Sequence, residues 1–432
     1  MDIYNAGVKL RDSLANKTLS ETVLDDIEQY LSNNEDSNIN LLIDEEKDSL
    51  IDTVKEIIQK MSLYYSNVFA DNPENILKFN ISDYNDNPMS LVYGYPGIAL
   101  TLKSLNIIDE FQLRNISIFL QKYYKINKSK IFLNNGLMFG KAGLALFHTK
   151  AGSFFSNNIF LFELIETLNN SEYREIDFAN GLTGITYALK LISDDNTYPN
   201  FSKIIESYFD IISAVDKPIG KYQGLQYGNI GISFGIQYFD DLNTKSNRLD
   251  SFFKNIDIDV SSVSDDKIFT GLSYSYENWP HIRSPYLYSG GASLLYVLTT
   301  YFHNSKNCDW QLLRTLLKTL EVPTTHTYGI GYGMSGVALI IMMILILPNV
   351  PLDVRQRLEL LLMDKIEYII IHFHDNKDFK GFYDEKQDKF IDDFGNGTLG
   401  ILKILKMFLK YNDKELCWDE DVFSLIPLPN II

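Results

Sequence analysis

The chain of 432 residues has little cysteine and little histidine: Cys308 and Cys417 are the only thiols, and there are six histidines. Two cysteines build no disulfide framework and lack the paired spacing of a zinc ribbon, so both read as free thiols. Cations are also in short supply, with 39 Lys and Arg against 56 Asp and Glu, a net charge of -17 and a pI near 4.8. Phosphate backbones need clustered Lys and Arg, so a nucleic-acid partner is excluded and any large partner is a peptide or protein. Long hydrophobic runs are missing too. The apolar stretch from Val337 to Leu347 is eleven residues, where a membrane span needs about 20. The start MDIYNAGVKL has no signal-peptide pattern. These absences predict a soluble, cytoplasmic protein with no membrane insertion. What is present, 45% hydrophobic and 13% aromatic residues, is enough to bury a large core.

Glycine is placed with regularity. A glycine-framed turn followed by an apolar run recurs seven times: YGYPGIALTL (Gly94, Gly97), FGKAGLALF (Gly140, Gly143), NGLTGITYAL (Gly181, Gly184), YGNIGISFGI (Gly228, Gly231), SGGASLLYVL (Gly290), YGMSGVALII (Gly333, Gly336) and NGTLGILKIL (Gly397, Gly400). Between the copies lie amphipathic segments such as DVRQRLELLLMDKIEYIIIHF, apolar on one face, which predict outward helices. The runs after the glycines are apolar nearly all round and predict helices packed on every side. The fold class is therefore all-α: an (α/α) toroid of seven inner and seven outer helices, with an open helical solenoid as the alternative. Glycine is expected to give each turn conformations closed to other residues and to let backbones crowd together.

Two intervals are long, 62 residues from Gly228 to Gly290 and 64 from Gly333 to Gly397. The first carries IDIDVSSVSDDKIFTGLSYSYENW, rich in β-branched and aromatic residues, and predicts a small strand-containing insertion over about residues 240–285. Residues 1–35 read as an N-terminal helical extension or linker, residues 36–432 as the toroid, and ISDYNDNPM around residue 84 as a loop.

Jointly, the seven turns resemble the lanthipeptide cyclases, the LanC-like proteins, over roughly residues 50–432. Three segments, FNISDYNDNPMSLVYGYPGIAL, SPYLYSGGASLLYVL and IDDFGNGTLGILKIL, are similar to the cyclase domain of class III (LanKC-type) synthetases. No kinase signature accompanies them, so the chain reads as a stand-alone cyclase or an excised domain. The resemblance implies closure of lanthionine or labionin rings by Michael-type addition of peptide cysteines to dehydroalanine or dehydrobutyrine. Its implied partners are a dehydrated precursor peptide and kinase and lyase domains or proteins of the same synthetase.

In classes I and II of the family a Cys in the fifth repeat and a Cys-His pair in the sixth hold zinc. The matching positions here are Tyr288, Gly331 and Tyr332, which supply neither thiolate nor imidazole. His148, His281, His303 and His326 are scattered, and His372 and His374, two apart on a predicted helix, face opposite sides. No metal and no other cofactor is expected.

The chemistry still needs a thiolate, a place for enolate charge and an acid for the α-carbon. A cysteine supplies a few per cent thiolate unaided, and positioning in a dry cavity contributes the rest. The resemblance assigns an acid-base carboxylate to Asp177 in DFANGLTG; the ordinary reading is a capping residue. Where the family has a His proton donor in GLxHG, this chain has GLQYG with Tyr227, a weaker acid or a structural residue. Arg283 in ENWPHIRSPYLY is a candidate partner for an enolate or carboxylate, with a plain surface arginine as the alternative. Tyr93, Phe139, Tyr227, Tyr288 and Tyr332, near the turn glycines, predict an aromatic peptide-binding funnel or, equally, turn packing. Asp392 and Asp393 read as loop or capping residues. Two other functions remain open at this level: a non-catalytic scaffold that holds the precursor or braces a kinase and lyase, and a glycan-active or prenyl-active toroid, disfavoured by the missing paired-carboxylate and aspartate-rich motifs.

Overall fold

The computed structural model describes residues 37–82, 87–170, 175–194, 201–213, 224–239, 284–306, 308–325, 327–376, 380–384 and 389–418. The N-terminal extension over residues 1–35 and nearly all of the insertion around 240–285, Arg283 included, lie outside the described residues. The chain divides into two compact units, residues 1–53 and 54–432. The boundary falls inside α1 (Ser37–Phe69). Among the described residues no helix is long and apolar enough to cross a membrane.

The seven glycine turns each open one helix of the larger unit: α2 (Tyr95–Ser104), α4 (Lys141–Lys150), α6 (Leu182–Ser193), α8 (Asn229–Phe239), α9 (Gly291–Ser305), α11 (Met334–Leu345) and α13 (Thr398–Asn412). Each packs on the next in sequence order, and α13 packs on α2. The inner ring is therefore closed, which decides against an open solenoid. Outer helices α3 (Glu110–Asn127), α5 (Ile159–Asn170), α7 (Ser202–Ser213), α10 (Trp310–Leu316) and α12 (Leu352–Ile370) each cover the inner helix before them. The contrast read from the sequence holds at residue level. Every residue of α11 is buried, whereas α12 buries one stripe through Val354, Leu358, Leu362 and Ile366. The outer helix expected between α8 and α9 falls in residues 240–283, outside the described part.

The described strands sit in the other long interval, where β1 (His374–Asp375) pairs antiparallel with β2 (Lys380–Gly381). There α12 ends at Ile370, so His372 and His374 do not share a helix, contrary to the expectation from periodicity. The apolar run IIIHF continues past the point where the backbone turns into the hairpin, which hydrophobicity alone does not mark.

Closure is made by main-chain hydrogen bonds one layer above the inner helices. The residue two places before the first glycine of a turn donates its N–H to the equivalent carbonyl of the next turn: Met138 to Ala179 (3.0 Å), Ala179 to Gln226 (2.9 Å), Gln226 to Tyr288 (3.0 Å), Tyr288 to Gly331 (3.1 Å), Gly331 to Gly395 (2.9 Å) and Gly395 to Val92 (3.1 Å). The circle is completed by Leu91, one residue earlier in its turn, donating to Met138 O at 2.9 Å. Seven turns thus share a single cyclic ladder.

Glycine is required there for closeness and not for unusual backbone angles. The first glycines of six turns have φ between −150° and −96°, extended backbone open to any residue, which corrects the conformational half of the expectation. Crowding is the reason that survives. A Cβ on Gly184 would lie 2.0 Å from the Phe178 carbonyl oxygen and 2.9 Å from Leu137 Cβ, and one on Gly231 would meet Leu225 O at 2.0 Å and Phe178 Cβ at 2.8 Å. The second glycine of these turns is therefore held by its own turn on one side and by the preceding turn on the other.

The seventh turn is also tied to the start of the unit. Asp392 accepts from Tyr65 Oη–H and from Asn80 N–H, both at 2.8 Å. Asp393 Oδ2 accepts from Ser82 N–H at 3.0 Å, while its Oδ1 caps the turn through Asn396 N–H (2.8 Å) and Gly397 N–H (3.1 Å). Capping was the sequence reading; the tie to residues 65–82, more than 300 positions away, was not foreseeable from it. Burial pushes Asp392 up to about 6 and Asp393 up to about 7, against the opposing pull of their backbone donors.

Two outcomes follow. Gly184→Ala should lower the unfolding free energy by at least about 2 kcal/mol through overpacking. Gly152→Ala, with open space around a φ of +70°, should cost only about 1 kcal/mol; denaturant titration compares them. Asp393→Asn should cost about 1–3 kcal/mol, because an amide cannot accept on both sides. A carboxyl raised on folding contributes stability that is present below its unfolded pKa and lost as pH rises through about 7, so the Asn variant should also lose that part of the decline between about pH 4 and 7.

Candidate active site

The cyclic ladder fixes where side chains of the turn layer can go. At the ladder position the seven residues are Val92, Met138, Ala179, Gln226, Tyr288, Gly331 and Gly395; the next residue in each turn is Tyr93, Phe139, Asn180, Tyr227, Ser289, Tyr332 and Asn396. The two ladder glycines make room for tyrosines. A Cβ on Gly331 would sit 2.5 Å from the ring of Tyr288, and one on Gly395 would sit 2.2 Å from the ring of Tyr93.

The predicted aromatic residues do converge, in two groups. Tyr93 stacks on Phe139 with centroids 5.8 Å apart, and Phe139 on Tyr227 at 6.4 Å. Tyr332 meets Tyr288 edge-on at 5.8 Å and Tyr286 at 6.0 Å. The Tyr332 hydroxyl then donates to Gln226 Oε1 at 2.6 Å, joining the sixth turn to the fourth. Tyr93, Phe139 and Tyr288 are buried, whereas Tyr227, Tyr286 and Tyr332 keep part of their surface exposed. The buried three are packed into the turn layer, and the other three keep surface that a ligand could touch. Tyr286 was missed by sequence reading, because it stands four residues before its glycine.

The three positions that the resemblance matches to metal ligands, Tyr288, Gly331 and Tyr332, lie side by side, and the side chains present do not fit a zinc ion. The Tyr288 ring fills the space beside Gly331, and burial drives its phenol well above the usual range, with the nearby Asp393 charge adding to the effect. A neutral phenol in that place is no thiolate equivalent. The described histidines give no substitute. His148 is buried against Phe160, its Nδ1 bonded to the Ser117 hydroxyl, and burial lowers it to about 3. His303 stacks on Trp418 at 4.3 Å, and His372 Nδ1 bonds to Tyr368 O at 2.7 Å. Among the described residues no group of three or more His, Cys, Asp or Glu could hold a metal ion. His281 and His326 lie outside the described residues.

Asp177 is half-buried and caps its turn, with Oδ1 accepting from Asn180 N–H at 2.8 Å. Burial raises its pKa, and the charge of Glu175 adds to that, while the turn's N–H groups oppose it. The result is a carboxylate more basic than usual. In the second, fourth and sixth turns the residue four places before the first glycine is itself a glycine, packed so closely on the next turn that a Cβ on Gly136 would lie 2.4 Å from Asn180 Cα, one on Gly224 2.4 Å from Ser289 Cα, and one on Gly329 2.3 Å from Asn396 Cα. Asp177 holds the corresponding place in the third turn, and its turn adjoins that of Tyr227 through the hydrogen bond from Ala179 N–H to Gln226 O. Arg283, the third candidate, lies outside the described residues.

Neither a protein-family profile nor a curated protein sequence matches the chain. Among solved structures, nisin cyclase is similar, with a TM-score of 0.55 and 16% identity over 82% of this chain and 94% of that one. At that identity the likeness is one of fold, and it agrees with the closed helical ring described above.

Proposed function

We propose that the chain closes thioether rings, lanthionine or labionin, on a dehydrated precursor peptide, without zinc, as a cyclase of the class III kind. The observation that carries this reading is the turn layer: partly exposed Tyr227 and Tyr332 rings, with a carboxylate of raised basicity in the turn adjoining that of Tyr227, on a ring that shares the fold of nisin cyclase. The aromatic face holds the peptide by area at little entropic cost. Asp177 takes the proton of the cysteine thiol. The sulfur forms a C–S bond to the β-carbon of the dehydro residue, the double-bond pair moves to the α-carbon and its carbonyl as an enolate, and the Tyr227 hydroxyl returns a proton to the α-carbon. Proximity of the two peptide groups contributes the remaining acceleration. Kinase and lyase activities acting earlier would supply the dehydrated substrate.

A second reading also has an observation behind it. The Asp177 contact to Asn180 N–H is an ordinary turn cap, as in a scaffold that only holds the peptide while rings close by themselves.

Incubation of a dehydrated peptide bearing free cysteines, with a chelator present, separates the two when capped thiols are counted by mass. The cyclase reading expects thiols to disappear faster with protein, and Asp177→Asn and Tyr227→Phe to slow the loss by about 10²-fold or more. A rate equal to that of peptide alone, with binding retained, leaves the scaffold; restoration only by added zinc overturns the metal-free mechanism.

A further inference from the structure

Gln226 is the one amide among the seven ladder side chains, and it is 1% exposed. The Tyr332 hydroxyl donates to its Oε1 at 2.6 Å, and its Nε2 is buried with no hydrogen-bond partner. On the other side of Tyr332 the turn of residues 327–333 packs on the seventh turn, where Gly331 N–H donates to Gly395 O and a Cβ on Gly329 would lie 2.3 Å from Asn396 Cα. Asn396 is 6% exposed, its backbone is held by Asp393, and its Oδ1 is likewise buried and unpartnered. One orphaned donor, on the amide that holds the half-exposed Tyr332, and one orphaned acceptor, in the turn that packs on the turn of Tyr332, therefore lie in the layer of the proposed site.

Folded proteins pair nearly all buried polar atoms, and an exception at a site marks a place where a partner arrives. Both groups here are neutral, so they select against a carboxylate or phosphate as the arriving group. We propose that Gln226 and Asn396 are specificity residues that read the main chain of a bound peptide: a substrate carbonyl accepts from Gln226 Nε2, and a substrate N–H donates to Asn396 Oδ1. The inference rests on the peptide reading above and deepens it, because it makes recognition independent of the side chains flanking each ring-forming residue.

The test uses the full chain and a fluorescein-labelled peptide containing dehydroalanine, its cysteines replaced by serine so that binding is read without reaction. Gln226→Met and Asn396→Leu should each weaken the dissociation constant about fivefold to tenfold, the size of one lost hydrogen bond. The melting temperature of Asn396→Leu should stay level or rise, since an apolar side chain removes an orphaned polar atom; Gln226→Met also gives up the bond from Tyr332, so its affinity is read against Tyr332→Phe, which loses that bond alone. A peptide methylated at successive backbone nitrogens should show one position where wild type loses affinity and Asn396→Leu loses no more. Unchanged affinity in both variants overturns the proposal, and so does an affinity loss that tracks a fall in melting temperature. A wild type that binds no peptide removes the peptide reading itself, and this inference with it.

Discussion

Everything in the larger unit depends on a circle of seven backbone hydrogen bonds between turns that lie dozens of residues apart in sequence. Singly, each is worth about 1 kcal/mol net. Their collective weight comes from burial, because a turn that left the circle would strand an N–H and a C=O away from water. The requirement explains the glycines. For the ladder atoms to meet, adjoining turns must approach so closely that Cβ atoms on Gly184 or Gly231 would overlap carbonyl oxygens. The inner helices are then apolar on every side because they are surrounded on every side, and the outer helices need only one buried stripe.

The same constraint builds the candidate site. A ladder fixes one side-chain position per turn, and the site is what this sequence places there: large rings beside two missing side chains, Tyr288 beside Gly331 and Tyr93 beside Gly395. Rings in those places pack the floor and remove the space and the donors that a metal would need. What stays exposed is a face of tyrosine, with Asp177 one turn away and neutral amides beneath. Under the proposed function such a surface receives a flexible, weakly charged peptide, and the net charge of -17 opposes a phosphate or a nucleic acid there.

Much of this was legible in the residues. Glycine spacing and the switch between all-apolar and one-faced helices gave the toroid, since both arise from local burial. Tyr288, Gly331 and Tyr332 were identifiable as a group only through the resemblance, which matches them to a set of metal-ligand positions. Contacts set by closure were illegible. Nothing in EIDFANG shows that Asp177 lies one turn from Tyr227, and nothing around Asp392 and Asp393 shows that they hold Tyr65, Asn80 and Ser82. Helix ends were also misread where hydrophobicity outlasts the helix, as at His372 and His374. The glycines were judged needed for the right reason in part, crowding, and for a wrong one, backbone angles.

Hydrogen exchange at single-residue resolution tests the closed ladder most directly. The amides of Leu91, Met138, Ala179, Gln226, Tyr288, Gly331 and Gly395 should exchange together, with the free energy of global unfolding, because no turn can leave the circle alone. Early exchange at Leu91 and Gly395, with the other five still protected, would mean that the ring opens at its seam and that the mouth is not the fixed platform on which the site depends.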